Sequence, residues 1–256
     1  PEIVATMDEE IVNCLKSQLT NSGVNIHTKT KVEKIEKCET GLKVDTDSIS
    51  VEAEKVLLSI GRKPVTANLR LEELGVKMER GKIVVDKRMK TNINNIYAIG
   101  DCTGGVMLAH VASAEGAVAA EAILKKPSKI DFKTTPSCVY TKPELASVGI
   151  TEKQAIEQGY SIKTGTFPLY ANGKSMIMGE TNGLAKYVVD ASTDEILGLH
   201  LAGPRATDLI SAGAVAIRLE ATVNEIITTI HAHPTVSESL HEAAHDVHNS
   251  AFHLPK

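Results

Sequence analysis

Thr91-Asn92-Ile93-Asn94-Asn95-Ile96-Tyr97-Ala98-Ile99-Gly100-Asp101 is the stretch whose reading decides the fold. Its apolar half predicts a strand over Asn95–Ile99 that runs straight into Gly-Asp, which puts a carboxylate at the strand's C-terminal end. Gly100 lets a backbone come close, and Asp101 can accept hydrogen bonds from the hydroxyls of a ligand. As a bare tripeptide, Ile-Gly-Asp is also an ordinary strand end. Just downstream, Ser113 to Lys125 predicts a helix of small residues, among them Ala114, Gly116, Ala117 and Ala120. Such a helix can approach another backbone or a ligand closely, and Pro127 ends it.

Upstream, Asp8 is placed as the N-cap of a helix in which Ile11, Leu15 and Leu19 recur at helical spacing until Gly23. Strands are predicted at Val24–His27, Lys31–Lys37, Leu42–Thr46, Lys55–Ser59 and Lys82–Val85. A parallel nucleotide domain opens with a strand, a Gly-rich turn and a helix. No G-x-G-x-x-G occurs in the sequence, so the beginning reads as a domain cut in two. Position 1 is Pro and no signal peptide is present, which reads as a trimmed chain.

Downstream, strands are predicted at Ser137–Tyr140, Leu145–Gly149, Ser161–Pro168, Gly183–Val189 and Glu195–Ala202. Helices follow at Thr207–Leu219, Val223–Ile227 and Ser237–Ser250. Strands first and helices after predict an antiparallel sheet covered by helices on one face.

Bulk properties bound the function. With 42% hydrophobic and 23% charged residues in 256, the balance is that of a globular chain with room for two or three modules. The net charge of −4, with both signs mixed along the chain, excludes the concentrated basic face of a nucleic-acid binder. Aromatic content of 3% without Trp leaves no stacking platform for bases. No apolar run reaches the roughly 20 residues of a membrane-spanning helix. Cys14, Cys38, Cys102 and Cys138 are scattered, against a zinc ribbon, a local redox pair or a secreted disulfide framework, and a reducing compartment is expected.

A second stretch carries acid–base chemistry: His231-Ala232-His233-Pro234-Thr235-Val236-Ser237-Glu238. Pro234 forces an extended or cis geometry on His233, and Ser237 is placed as the cap of a helix whose first turn holds Glu238. A carboxylate there can take one imidazole nitrogen and leave the other free to exchange a proton near neutral pH. The local spacing is equally that of a helix cap beside a surface histidine.

Together the two stretches resemble the pyridine nucleotide–disulfide oxidoreductases, and HAHPTVSE is similar to the C-terminal signature of the dihydrolipoamide dehydrogenases among them. Glu242-Ala243-Ala244 favours that branch over the glutathione reductases. The resemblance implies that His233 is the acid–base, oriented by Glu238, at the partner subunit's disulfide, while His231 has no assigned role. It implies that Asp101 and Gly100 meet the ribitol of FAD, and that the backbone of Met107, Leu108, Ala109 and His110 lies under the flavin at a helix start. Gly61-Arg62-Lys63-Pro64 matches a G-R-x-P in which the Gly backbone lies near NAD.

The expected architecture is α/β and α+β, with partial nucleotide-binding domains followed by an interface domain. Residues 1–64 are the end of an NAD-binding domain, 65–133 the returning part of an FAD-binding domain, and 134–256 the dimerisation domain. The implied partners are a second copy of the chain and the lipoyl domain of a 2-oxo acid dehydrogenase complex. The location is bacterial cytoplasm, preferred here, or mitochondrial matrix. The family's C-x-x-x-x-C and Gly-rich loops are absent, so both cofactor sites are incomplete and the chain alone is expected to be inactive. Cys102 reads as a small buried residue.

Other classes compete. A glutathione-type or mercury-type reductase of the same family is one, although the chain ends Phe252-His253-Leu254-Pro255-Lys256 without a cysteine pair. A pure dimerisation module built on Ile210, Ala214 and Ile217 is another. His241-Glu242-Ala243-Ala244-His245 spells H-E-x-x-H, but His248 and Ala251 stand where the extended zinc pattern needs Gly and His. No third ligand is placed, and the expectation is no metal.

Overall fold

The computed structural model describes residues 2–254; Pro1, and the Pro255-Lys256 end that lacks a cysteine pair, lie outside the described residues. The elements run α1 (Glu9–Asn21), β1 (Val32–Cys38), β2 (Gly41–Thr46), β3 (Ser50–Ala53), β4 (Met78–Glu79), β5 (Lys82–Ile83) and α2 (Ala109–Ile123). Then come β6 (Ser137–Val139), β7 (Glu144–Gly149), α3 (Glu152–Glu157), β8 (Ile162–Pro168), α4 (Gly173–Met178), β9 (Leu184–Asp190), β10 (Ile196–Gly203), α5 (Ala206–Arg218), α6 (Val223–Thr228) and α7 (Glu238–Asp246). Two compact units divide the chain: 1–36, 43–51 and 133–256 form the first, and 37–42 with 52–132 the second.

The first unit is built on a five-stranded antiparallel sheet of order β6-β7-β10-β9-β8. Side chains alternate between the faces of a strand, so Leu199 and Leu201 of β10 join one core while Ala202 joins another. On the first face, α5 and α7 supply Ile210, Leu240, Ala243 and Val247. Two glycines let these helices settle. A Cβ on Gly165 of β8 would stand 2.2 Å from the Ala243 carbonyl oxygen, and one on Gly213 of α5 would stand 2.5 Å from Leu199.

Helices were expected on one face only, but α1 covers the other. Leu145 and Ala202 project there and need apolar cover, which Ile11 and Leu15 of α1 provide. Each such side chain removed from water contributes about 1.5–3 kcal/mol. Asp8 caps α1 as read from the sequence, accepting the Glu10 N–H at 3.2 Å.

Beside that apolar contact lies a buried ion cluster. Lys186 of β9, only 2% exposed, donates to Asp8 at 3.2 Å, Glu10 at 2.6 Å and Glu152 at 2.6 Å. Burial alone would push the ammonium down, but the bonds to Glu10 and Glu152 and the charge of Asp8 lift it above the ordinary lysine range. Next to it His200 is fully buried. Its Nε2–H donates to the Ile150 carbonyl, so Nδ1 accepts from the Ser147 hydroxyl.

In the second unit, β4 and β5 pair as a short hairpin. A small core gathers Val76, Ile83 and Ala98, and α2 adds Val118 and Ala119 against Met89. β1, β2 and β3, most of whose residues belong to the first unit, pair in that order as a separate small sheet.

Three predicted strands do not form. Lys55–Ser59 has no ladder, leaving Leu57 at 90% exposure. Asn95–Ile99 is reduced to one bridge between Lys90 and Tyr97, and Val24–His27 is irregular. A β-branched run becomes a strand only where another segment offers backbone partners. The small-residue helix starts at Ala109 rather than Ser113, and α7 stops at Asp246 rather than Ser250.

Candidate active site

His233 sits in the irregular segment between α6 and α7, and its bond to Pro234 is cis. Its Nδ1 lies 2.9 Å from Oε1 of Glu238, the first residue of α7. Burial pushes the Glu238 carboxyl up, but bonds from the Thr235 N–H and from His233 outweigh it and hold the group below its usual range. At neutral pH it is therefore an ionised acceptor, so Nδ1–H donates to it and Nε2 is the ring nitrogen left for another partner. The His233 side chain is 76% exposed and so open to an incoming group.

The carboxylate is held at both oxygens. Oε2 accepts the Thr235 N–H at 2.8 Å while Oε1 faces His233. Ser237 was expected to cap α7 with its side chain and does not; its hydroxyl meets the Thr235 hydroxyl at 2.8 Å. The reason is visible in the spacing. Thr235 and Glu238 stand three apart, and the carboxylate reaches back to the Thr235 N–H as the acidic member of a capping box does. That T-x-x-E signal identifies Thr235, which the sequence reading missed.

His231 lies apart from this pair. Its Nε2 donates to the Ile226 carbonyl at 3.3 Å, its ring centroid is 4.9 Å from that of His241, and burial holds it below the usual histidine range.

The other predicted site residues gather in the second unit. Gly100 and Asp101 open a single 3-10 turn, Gly100–Thr103. Gly100 adopts φ +74°, where a side chain would be strained, and its N–H donates to Glu115 at 2.6 Å. Asp101 pairs with Arg62 at 2.6 Å. Glu115, a buried residue of α2, was not singled out from the sequence, and Arg62 was read only as part of G-R-x-P and not as a partner of Asp101, because no spacing rule links positions so far apart. Met107 and Leu108 lead into α2, with Leu108 extended at its N-cap and making no side-chain cap bond; the first residues Ala109 and His110 are exposed. Gly61 has φ +111° with open space around it. Cys102 is half-buried rather than buried, with its thiol on the Ile99 carbonyl.

The H-E-x-x-H residues have other partners. His241 donates to the Ile227 carbonyl at 3.0 Å. Buried Glu242 accepts from the Phe252 N–H, the His253 N–H and the His253 ring. Among the described residues no group of three or more His, Cys, Asp or Glu is arranged to hold a metal.

Both halves of the chain match one family. Residues 1–116 match the pyridine nucleotide-disulphide oxidoreductase domain, and residues 135–244 match the dimerisation domain of the same enzymes. The chain belongs to that family of flavoprotein oxidoreductases. Within it, the chain is 42% identical to a dihydrolipoyl dehydrogenase of Thermus scotoductus, over 99% of its own length and 56% of the relative's. It is 38% identical to the mitochondrial dihydrolipoyl dehydrogenase of Pisum sativum, over 99% and 52%. Among solved structures it is similar to the HOCl-induced flavoprotein disulfide reductase RclA from Escherichia coli, with TM-score 0.87 and 32% identity over 93% of this chain and 55% of that one. LpdA from Mycobacterium tuberculosis gives TM-score 0.86 and 31% identity, over 93% and 52%. The chain thus spans about half the length of the relatives it matches.

Proposed function

We propose that this chain is the carboxyl-terminal portion of a dihydrolipoamide dehydrogenase, and that the whole enzyme oxidises dihydrolipoamide to lipoamide with NAD as acceptor. The carrying observation is the His233–Glu238 pair, 2.9 Å apart, with Nε2 open to an incoming group. His233 takes a proton from the attacking thiol of the substrate at Nε2, and returns it when the enzyme's own thiol leaves. Glu238 fixes the tautomer and stabilises the imidazolium. The enzyme's disulfide lies outside these residues, since the four cysteines here offer no C-x-x-x-x-C. This chain alone is therefore expected to turn over no dithiol.

FAD, when bound, supplies the two-electron acceptor between the thiols and NAD. The residues present fit one end of it: an acceptor carboxylate at Asp101, a close-approach glycine at Gly100, and the start of α2 at Ala109. The Gly61 backbone serves NAD. The same proposal takes 1–64 and 65–133 as the ends of the NAD and FAD domains and 134–256 as the dimerisation domain. It includes a homodimer in which His233 serves the partner's disulfide, and a lipoyl domain as the carrier of substrate.

In the intact enzyme, His233→Ala should cut dihydrolipoamide turnover by about 100-fold or more while flavin stays bound. Unchanged turnover removes the role from His233. Assay of the intact enzyme with glutathione and with mercuric ion in place of lipoamide separates the other branches of the family.

A further inference from the structure

We propose that Asn172 is a positioning residue for the His233–Glu238 pair, acting on it through Thr235. The inference rests on the reading of that pair as the proton-handling site. Asn172 stands 63 positions before Thr235, at the N-cap of α4, and is 4% exposed. Both ends of its side-chain amide are committed. Oδ1 accepts the Ser175 N–H at 2.8 Å, and Nδ2 donates to the Thr235 carbonyl at 3.1 Å. Its backbone is fixed as well, donating to the Leu169 carbonyl and accepting from the Met176 N–H. Leu169 in turn is buried and bonded to Gly183 at the entry to β9. The amide is therefore a rigid strut that reaches from the dimerisation sheet to the segment carrying His233.

At the far end of the strut every polar group of Thr235 is engaged. Its carbonyl is held by Asn172, its hydroxyl donates to the Ala232 carbonyl at 2.7 Å, and its N–H donates to Oε2 of Glu238 at 2.8 Å. With Oε2 held by the main chain, Oε1 is left facing His233. His233 itself is mostly exposed, so Glu238 is what orients its ring. The order of dependence runs from Asn172 to Thr235, from Thr235 to Glu238, and from Glu238 to the imidazole. A carboxamide suits this position because it offers an acceptor to α4 and, on a separate atom, a donor to the Thr235 carbonyl. Support of this kind is what keeps a proton-transfer pair within productive geometry.

Asn172→Asp separates the two ends: it retains the oxygen that caps α4 and places an acceptor against the Thr235 carbonyl. The Glu238 carboxyl, followed by carbon-13 NMR in this chain, should then titrate higher, toward the ordinary carboxylate range, as the Thr235 bond loosens. Val247→Ala, which weakens the packing of α7 at its opposite end, should leave that titration where it is. In the intact enzyme, Asn172→Asp should lower kcat for the dithiol about 10-fold with KM little changed. A folded Asn172→Asp chain whose Glu238 titration does not move overturns the proposal. Should the variant not fold, the unmodified chain still decides: slow exchange of the Asn172 side-chain NH2 is expected, and exchange at the rate of a free amide overturns it. A Glu238 response accompanied by turnover indifferent to His233→Ala keeps the strut and removes the reaction assigned to the site. Turnover that depends on His233 without any Glu238 response does the reverse.

Discussion

Ala185–Val189 and Val56–Ile60 are runs of similar apolar chemistry with opposite fates. The first lies in β9, hydrogen-bonded to β10 on one side and β8 on the other, and Ala185, Tyr187, Val188 and Val189 are almost wholly buried. The second forms no ladder, and Leu57 and Ile60 stand 90% and 87% exposed. The difference teaches that an apolar, β-branched run encodes only a willingness to be a strand. The ladder and the second layer have to come from elsewhere in the chain. In the dimerisation unit those partners are β8 and β10, which flank β9 in the sequence; for Val56–Ile60 the described residues supply none.

The contrast can be broken or sharpened by measurement. The largest effect should appear in amide hydrogen exchange. Amides of 185–189 should exchange only on global opening, several orders of magnitude more slowly than those of 56–60. Comparable rates in the two segments would mean that the sheet is not the stable part.

A second effect strikes the well-packed unit itself. Lys186→Met leaves buried Asp8 facing Glu10 and Glu152 without their cation. That should cost about 3–5 kcal/mol in urea unfolding, because removing one partner strands the remaining charge. A loss below about 1 kcal/mol would show that water already reaches the cluster.

The smallest effect is set by pH. Burial holds His200, His231 and His245 below their usual value of 6.5. The folded unit therefore binds fewer protons than the unfolded chain, and its stability, complete above pH 6.5, falls as pH drops through that value. The lowered Glu238 carboxyl adds a contribution that is present above 4.5 and lost as pH falls below it toward the folded-state value. Stability followed from pH 7.5 to 5 should decline by up to about 1.4 kcal/mol per pH unit for buried His200, with solvent screening leaving only a small part of that for His231 and His245. A flat profile would place the His200 ring in contact with solvent.

Much of the dimerisation unit could be read from the sequence, since β6 to β10 fall within a residue or two of their predicted spans. Alternation and turn residues are local signals, and here the local and the tertiary preferences agree. α3 and α4, six residues each, were missed although α6, equally short, was read; for α3 the Thr151-x-x-Gln154 capping box was the signal that could have found it. At the candidate site, His233 and Glu238 were legible because they lie five apart around a proline and a helix start. Asn172, Glu115 and the pairing of Arg62 with Asp101 were not, because each contact forms only after the chain has folded back on itself.

One helix carries two duties one turn apart. α7 begins with the carboxylate that steers His233, and one turn further along Glu242 is stitched to the tail through Phe252 and His253. A change at Phe252 or His253 therefore acts on the same rod that aims the imidazole.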